Sequence, residues 1–93
     1  MQRAIYEVYA KVVDSSGAYN TLSGYPKAFD SRNYSNDIQK TFKRARGEFF
    51  DTCGAMCKRD DRQLQTVILM SADGTIHDTF SIGEIAEDPE PNE

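Results

Sequence analysis

The sequence lacks tryptophan, has a single histidine and contains only two cysteines among 93 residues. Small secreted disulfide scaffolds and iron–sulfur proteins need more cysteines than this, so both classes are excluded. Long apolar runs are missing as well. The longest, Val67 to Met70, is four residues, whereas about 20 are needed to span a bilayer. We therefore expect no membrane insertion and reduced cysteines.

Acidic residues near both ends of the chain limit what those ends can be. Glu7 stands where a signal peptide would carry its apolar stretch, which predicts a cytoplasmic protein, in the host cytoplasm if a phage encodes it. From Glu84 to Glu93 the sequence has five acids, two prolines and no base. We predict one domain over residues 1–85 and a disordered acidic tail over residues 86–93.

Positive charge is concentrated in one segment of an otherwise acidic chain. The net charge is −4, yet residues 27–46 contain six bases and two acids, a local net charge of +4. Residues 47–93 contain three bases and eleven acids. The basic segment is the one candidate footprint for a polyanion, although a solvated helix face produces the same pattern.

Alternation of apolar and other residues predicts a β-hairpin at the start of the chain. Every second residue from Ala4 to Val12 is apolar, which is typical of a strand with one buried face. Asp14 to Gly17 has the composition of a turn, and Ala18 to Leu22 can return as a second strand. Residues 23–34 show neither helical nor strand periodicity and contain Pro26, so we predict a long loop there.

A helix is predicted over residues 36–57, with Ser35 or Asn36 as its N-cap. Apolar residues at intervals of three and four define one buried stripe: Ile38, Phe42, Ala45, Phe49, Cys53 and Met56. Phe50 and Cys57 are expected to widen this stripe on one side.

Two further strands are predicted after a polar connection. Leu64 to Met70 is apolar on both faces at its centre, which is typical of a strand inside a sheet. Ser71 to Gly74 reads as a turn, and Thr75 to Ile82 alternates, with Asp78 as the discordant residue. The sequence thus predicts a two-layer α+β domain of order ββαββ. Its four-stranded antiparallel sheet would be covered on one face by one long amphipathic helix.

One helix covers only one face of a sheet, so the other face is expected to stay open. Ile5, Tyr9 and Val13 alternate with the buried set of the first strand and would lie on that open face. We expect a second interface there, either with a partner or in a homodimer. The ordinary alternative is that these are scattered surface hydrophobic residues.

The residues that could carry chemistry are Cys53, Cys57 and His77. The cysteines are one helical turn apart beside the apolar stripe, where small thiols commonly fill a core. A structural zinc site takes four ligands, and these residues supply three. His77 is predicted on the strand face away from the helix, and Asp78 points to the other side, so neither a Cys–His pair nor a triad is expected. We predict no catalytic residue, no metal and no cofactor.

The remaining candidate for a binding site is the segment from residue 25 to residue 46. It interleaves aromatic and basic residues, and the predicted partner-binding set is Tyr25, Lys27, Phe29, Arg32, Lys40, Lys43, Arg44 and Arg46. Tyrosine and arginine are favoured anchors of protein interfaces, while aromatic rings with cations also suit unpaired bases and phosphates. The acidic remainder of the chain favours a protein partner, or a ribonucleoprotein whose RNA or DNA phosphates the cations contact.

These observations predict a small non-enzymatic intracellular module that acts by occupying a partner's surface. Phage and mobile-element inhibitors of host defence or nucleic-acid-processing complexes, anti-CRISPR proteins among them, often have this profile. The analogy is one of composition, and no motif supports it. The alternative is a domain that binds single-stranded nucleic acid, chiefly RNA, through residues 25–46. A thiol or metal protein built on Cys53, Cys57 and His77 is the third and least favoured hypothesis.

Overall fold

The computed structural model describes residues 3–14, 16–58 and 63–83, which form one long helix, a 3₁₀-helix and five strands. In chain order the elements are β1 (Ile5–Val13), β2 (Tyr19–Thr21), β3 (Lys27–Asp30), the 3₁₀-helix (Ser31–Tyr34), α1 (Ile38–Cys57), β4 (Gln65–Ser71) and β5 (Ile76–Ile82). The helix packs on one face of an antiparallel sheet. The predicted α+β class is confirmed, with five strands instead of four.

Strand β1 is the centre of the sheet. One edge of β1 pairs with β4, and the other edge of β4 pairs with β5. The other edge of β1 pairs with β2 opposite Lys11–Val13 and with β3 opposite Ile5–Val8. Because β2 and β3 follow one another along the same edge, the sheet contains five strands but is four strands wide.

The prediction of a loop without regular structure over residues 23–34 is wrong. Both β3 and the 3₁₀-helix lie within it, and Phe29 of β3 pairs with Tyr6 of β1. Four residues are too few for a period of two to stand out, and Pro26, directly before β3, weakens the strand signal further. Pairing with a strand remote in sequence decides the structure of this segment.

Helix α1 begins later than predicted and with a different cap. The N-cap is Asp37, whose carboxylate accepts a hydrogen bond from the backbone N–H of Lys40 at 3.0 Å. The predicted caps, Ser35 and Asn36, instead have positive φ angles of 57° and 58° in the turn that precedes α1. The predicted end of the helix, at Cys57, is confirmed.

The core lies between α1 and the two central strands. It consists of the helix-facing residues of β1 and β4 and one stripe of the helix: Tyr6, Val8, Ala10, Val67, Leu69, Ala45, Phe49 and Met56. The predicted inward face of β1 is confirmed. Phe50 and Cys57, predicted to widen the stripe, are exposed instead. Phe50 lies about 100° around the helix axis from Phe49, which places its ring beyond the width of the buried stripe.

A β-bulge in β5 changes the faces predicted for its first residues. Leu69 pairs with Asp78 and Met70 with Ile76, so His77 is the extra residue. Ile76 faces away from the helix and is 58% exposed, whereas the His77 ring packs edge-on against an aromatic ring of α1. The prediction that His77 lies away from the helix is wrong, because strict alternation fails at a bulge.

The predicted tail over residues 86–93 lies outside the described residues. Of the predicted domain over residues 1–85, the structure describes the three ranges given above. Within those ranges, no helix has both the length and the apolar content that crossing a bilayer requires.

Candidate binding surface

The N-terminal half of α1 carries three cations on its outer side. Lys40, Lys43 and Arg44 are exposed, and none has an ion-pair partner within residues 3–14, 16–58 and 63–83. Thr41 and Ala45, from the same turns, are fully buried, so the helical period directs the cations into solvent. We call Lys40, Lys43 and Arg44 the basic helix face.

The predicted cations that precede the helix are engaged inside the chain. Nζ of Lys27 lies 3.2 Å from Oε2 of Glu48, and Nη2 of Arg32 lies 3.1 Å from Oδ2 of Asp30. Asp30 also receives Nη2 of Arg3 at 2.7 Å. Hydrogen bonds from Arg3, and then from Arg32, hold the pKa of the Asp30 carboxyl well below its usual range. These cations therefore offer a partner less unsatisfied charge than the basic helix face does.

The aromatic residues predicted to bind a partner connect β3 and its preceding turn to α1. Because the Thr52 hydroxyl donates its one proton to Oε2 of Glu48 at 3.1 Å, the Tyr25 hydroxyl donates to Oγ1 of Thr52, at 2.9 Å. Nζ of Lys27 lies 5.1 Å from the centroid of the Tyr25 ring. Phe29 faces the helix from β3 and packs against the core. Both rings are half-buried against the helix side of the sheet.

One exposed aromatic ring lies on the helix near the cations. Phe50 is 52% exposed, and Cζ of Arg46 lies 5.3 Å from its ring centroid. Protein interfaces are enriched in aromatic residues and arginine, and a guanidinium over a ring combines both. The exposure of Phe50 was not predicted from the sequence, although the helical period contains the signal: Phe49 already fills the buried stripe at this turn.

A shallow groove runs beside the basic helix face, between α1 and β3. Its volume is about 330 Å³, and it is lined by Phe29, Lys43, Arg44, Gly47, Glu48 and Asp51. A Cβ added at Gly47 would meet nothing within 4 Å, so this chain does not require a glycine there for space. The missing side chain leaves the helix backbone open to close approach from outside.

Cys53 and His77 make packing contacts within the described part of the chain, whereas Cys57 does not. Burial is the largest cause that raises the pKa of the Cys53 thiol, which keeps the thiol protonated and weakly nucleophilic. Cys57 is exposed rather than in the core. His77 lies against Phe42, with ring centroids 5.3 Å apart, and hydrogen-bonds the hydroxyl of Ser71. Among the described residues, no three His, Cys, Asp or Glu side chains are grouped to hold a metal ion.

The second predicted interface lies on the open side of the sheet, and the structure leaves only two of its three predicted residues partly exposed there. Ile5 and Tyr9 are half-buried on the face away from the helix. Val13 is only 1% exposed, so its expected contribution to an exposed surface is wrong. Its backbone N–H donates to the carbonyl of Leu64 at 2.8 Å, at the end of β1 where β4 begins.

No protein-family model, no curated protein and no solved structure matches this chain. The structure brings together the basic helix face, the Arg46–Phe50 pair and the groove at Gly47 on the outer side of α1. The four helix cations predicted from the sequence are all exposed there. The four predicted residues that precede the helix are ion-paired or packed against it.

Proposed function

We propose that this protein is a non-enzymatic binding module that occupies an acidic surface of a partner protein through the outer side of α1. The observation that carries the proposal is the basic helix face: three exposed cations without an ion-pair partner in the described part of the chain. Surface cations on a protein with a net charge of −4 are usually compensated, as Lys27 and Arg32 are here. Uncompensated cations favour a partner of opposite charge.

The neighbourhood of these cations supports a protein partner over free nucleic acid. Single-strand binders stack bases on several exposed aromatic rings. Tyr25 and Phe29, the rings expected to serve for this, are half-buried against α1, and Phe50 remains as the exposed ring beside the cations. One ring with flanking cations resembles a protein-interface anchor more than a stacking platform. Phosphates of a ribonucleoprotein partner can still meet Lys40 or Lys43 at the edge of such an interface.

Occupation of an acidic surface inhibits a partner whose activity needs that surface. This is how a small phage or mobile-element protein would block a host defence or nucleic-acid-processing complex, the biological setting that the composition suggests. The proposal requires neither a bound cofactor nor a reacting group on this chain.

Two matched arginine variants test the proposal. Arg44→Glu reverses an unpaired cation of the basic helix face, whereas Arg32→Glu reverses an exposed arginine that is paired with Asp30. With each variant as bait, a partner captured by the wild-type chain should be lost with Arg44→Glu and retained with Arg32→Glu. Equal retention by both would contradict the proposed surface. Circular dichroism checks that both variants are folded.

A gel-shift assay distinguishes the nucleic-acid alternative. Wild-type protein is titrated into a single-stranded RNA at two salt concentrations, because phosphate contacts make affinity fall steeply with salt. The proposal predicts no specific complex with free RNA. A salt-dependent complex that Arg44→Glu abolishes and Arg32→Glu leaves intact would replace the protein partner with nucleic acid as the ligand of this surface.

A further inference from the structure

The side of the sheet opposite α1 carries an apolar cluster contributed by three adjacent strands, beside the hydroxyl residues Thr66, Thr79 and Ser81. The pairings of Tyr9 with Ile68 and of Met70 with Ile76 place these four side chains together on it. Ile76 is 58% exposed and the other three are half-buried. We call this the open sheet face; it also carries Ile5, Glu7 and Lys11 from β1.

Two opposite charges flank the centre of the open sheet face. Glu7 and Lys11 lie on the same side of β1, with Tyr9 between them. Four residues of extended strand separate the two charges by about 13 Å. Neither has an ion-pair partner in the described ranges, and Lys11 Nζ lies 5.4 Å from the Tyr9 ring centroid. Asp30, on the same face, is ion-paired with both Arg3 and Arg32.

The order of these charges is self-complementary. A two-fold axis that passes beside Tyr9 and crosses β1 reverses the strand direction in a second copy. It therefore brings Glu7 of each copy opposite Lys11 of the other, and Tyr9 opposite Tyr9. An axis parallel to β1 would instead align like charges, which is unfavourable.

We infer that two copies of this chain dimerise face to face through the open sheet face, with reciprocal Glu7–Lys11 pairs on either side of the Tyr9 contact. Burial of Tyr9, Ile68 and Ile76 drives the association, and the charge pairs select its orientation. Packing of two sheets with nearly aligned strands is the ordinary geometry of a β-sandwich. A second copy suits this surface because each charge finds its opposite at the symmetric position.

The dimer has a consequence for binding. Its layers follow the order helix, sheet, sheet, helix, so the two basic helix faces lie on opposite outer sides. One dimer can then engage two partner molecules, or two sites of one large assembly, with a gain in apparent affinity where both are within reach. This consequence rests on the proposed function, whereas the dimer itself does not.

Sedimentation velocity of the full chain over a range of concentrations measures the dimer. We expect a dimer for the wild type and a monomer for Tyr9→Glu, which places two carboxylates at the symmetry axis. Gln39→Glu makes the same change of charge at an exposed position of α1 and should remain dimeric. A monomeric wild type, or a dimer that Tyr9→Glu leaves intact, would overturn the inference.

Exchange of the two charges tests the orientation of the two copies in the dimer. Recovery of the dimer by the combined variants also distinguishes loss of the charge pairs from misfolding. Glu7→Lys alone and Lys11→Glu alone each create like-charge contacts, and each should raise the dimer dissociation constant about tenfold or more. The double variant Glu7→Lys/Lys11→Glu should recover the dimer, as should an equimolar mixture of the two single variants. Failure of both combinations to recover it, with all chains folded by circular dichroism, would exclude the reciprocal pairs.

Discussion

The hydroxyl of Tyr25 lies 2.9 Å from Oγ1 of Thr52, so the turn before β3 is attached directly to the helix. The contact continues through Glu48 to Lys27, whose Nζ lies above the Tyr25 ring. These four residues link two segments that are distant in sequence. These contacts give Tyr25 a stabilising role, whereas its place among basic and aromatic residues in the sequence indicated a binding role.

Removal of the Tyr25 hydroxyl should therefore weaken the fold. Tyr25→Phe is expected to lower the free energy of unfolding by about 1 kcal/mol, the usual net value of one hydrogen bond. Tyr19→Phe is the matched control, since Tyr19 is 62% exposed, and it should change stability by less than about 0.5 kcal/mol. Urea denaturation followed by circular dichroism measures both. Equal effects of the two substitutions would contradict the role assigned to the Tyr25–Thr52 hydrogen bond.

Gly47 should be replaceable with a gain in stability. It lies within α1, and a Cβ there would meet nothing within 4 Å, so Gly47→Ala is expected to stabilise the fold by about 0.5–1 kcal/mol. Gly74→Ala should do the opposite, because Gly74 has a φ of 95° in the turn between β4 and β5. Thermal unfolding measures both changes. If a partner approaches the helix closely at Gly47, the more stable Gly47→Ala variant should also bind it less tightly.

The two cysteines should differ in stability cost and in reactivity. Cys53 packs against the core, so Cys53→Ala is expected to cost about 1 kcal/mol, while Cys57→Ala at an exposed site should cost less than about 0.5 kcal/mol. A thiol reagent at neutral pH should modify Cys57 first, because burial raises the pKa of Cys53. Faster labelling of Cys53, measured by mass spectrometry of digested protein, would contradict this order.

Stability should fall in acid partly through Asp30. Its pKa is lowered well below the value near 4 of the unfolded chain, chiefly by a hydrogen bond from Arg3. A group with a depressed folded pKa stabilises the protein above its unfolded pKa and loses that contribution as the pH falls toward the folded pKa. The difference in Tm between the wild type and Asp30→Asn should thus be largest near neutral pH and narrow below about pH 4. A difference that stays constant from pH 7 to pH 2 would contradict this role of Asp30.

The same acid range also affects the turn after β1. Hydrogen bonds from Ser16, Asn20 and the backbone of Ala18 lower the pKa of Asp14 to about 2. Because Asp14 is present in both proteins of the Asp30 comparison, its titration lowers their Tm values together and cancels from the difference.

The alternation in β1 and the stripe along α1 were predictable because each follows from a local period. Ala4 to Val12 and Ile38 to Met56 repeat often enough for the buried side to be evident from the order of residues alone. Strand β3 has four residues, and the bulge at His77 adds one residue to a regular pattern. Neither feature leaves a periodic signal in the sequence. Both become evident only from the pairing of β3 with β1 and of β5 with β4.

The sequence by itself determined the α+β class, the inward face of the central strand and the presence of a basic segment, since periodicity and charge are properties of neighbours along the chain. The tertiary structure alone decided which members of that segment are available. Lys27 forms an ion pair with Glu48, and Arg32 forms one with Asp30. Tyr25 is hydrogen-bonded to Thr52. By contrast, the basic helix face has no ion-pair partner among the described residues. The physical reason is that a charged or aromatic side chain pairs with the groups that the fold places beside it. For the contacts of Lys27 and Tyr25 that group lies on another element, beyond the reach of local sequence patterns.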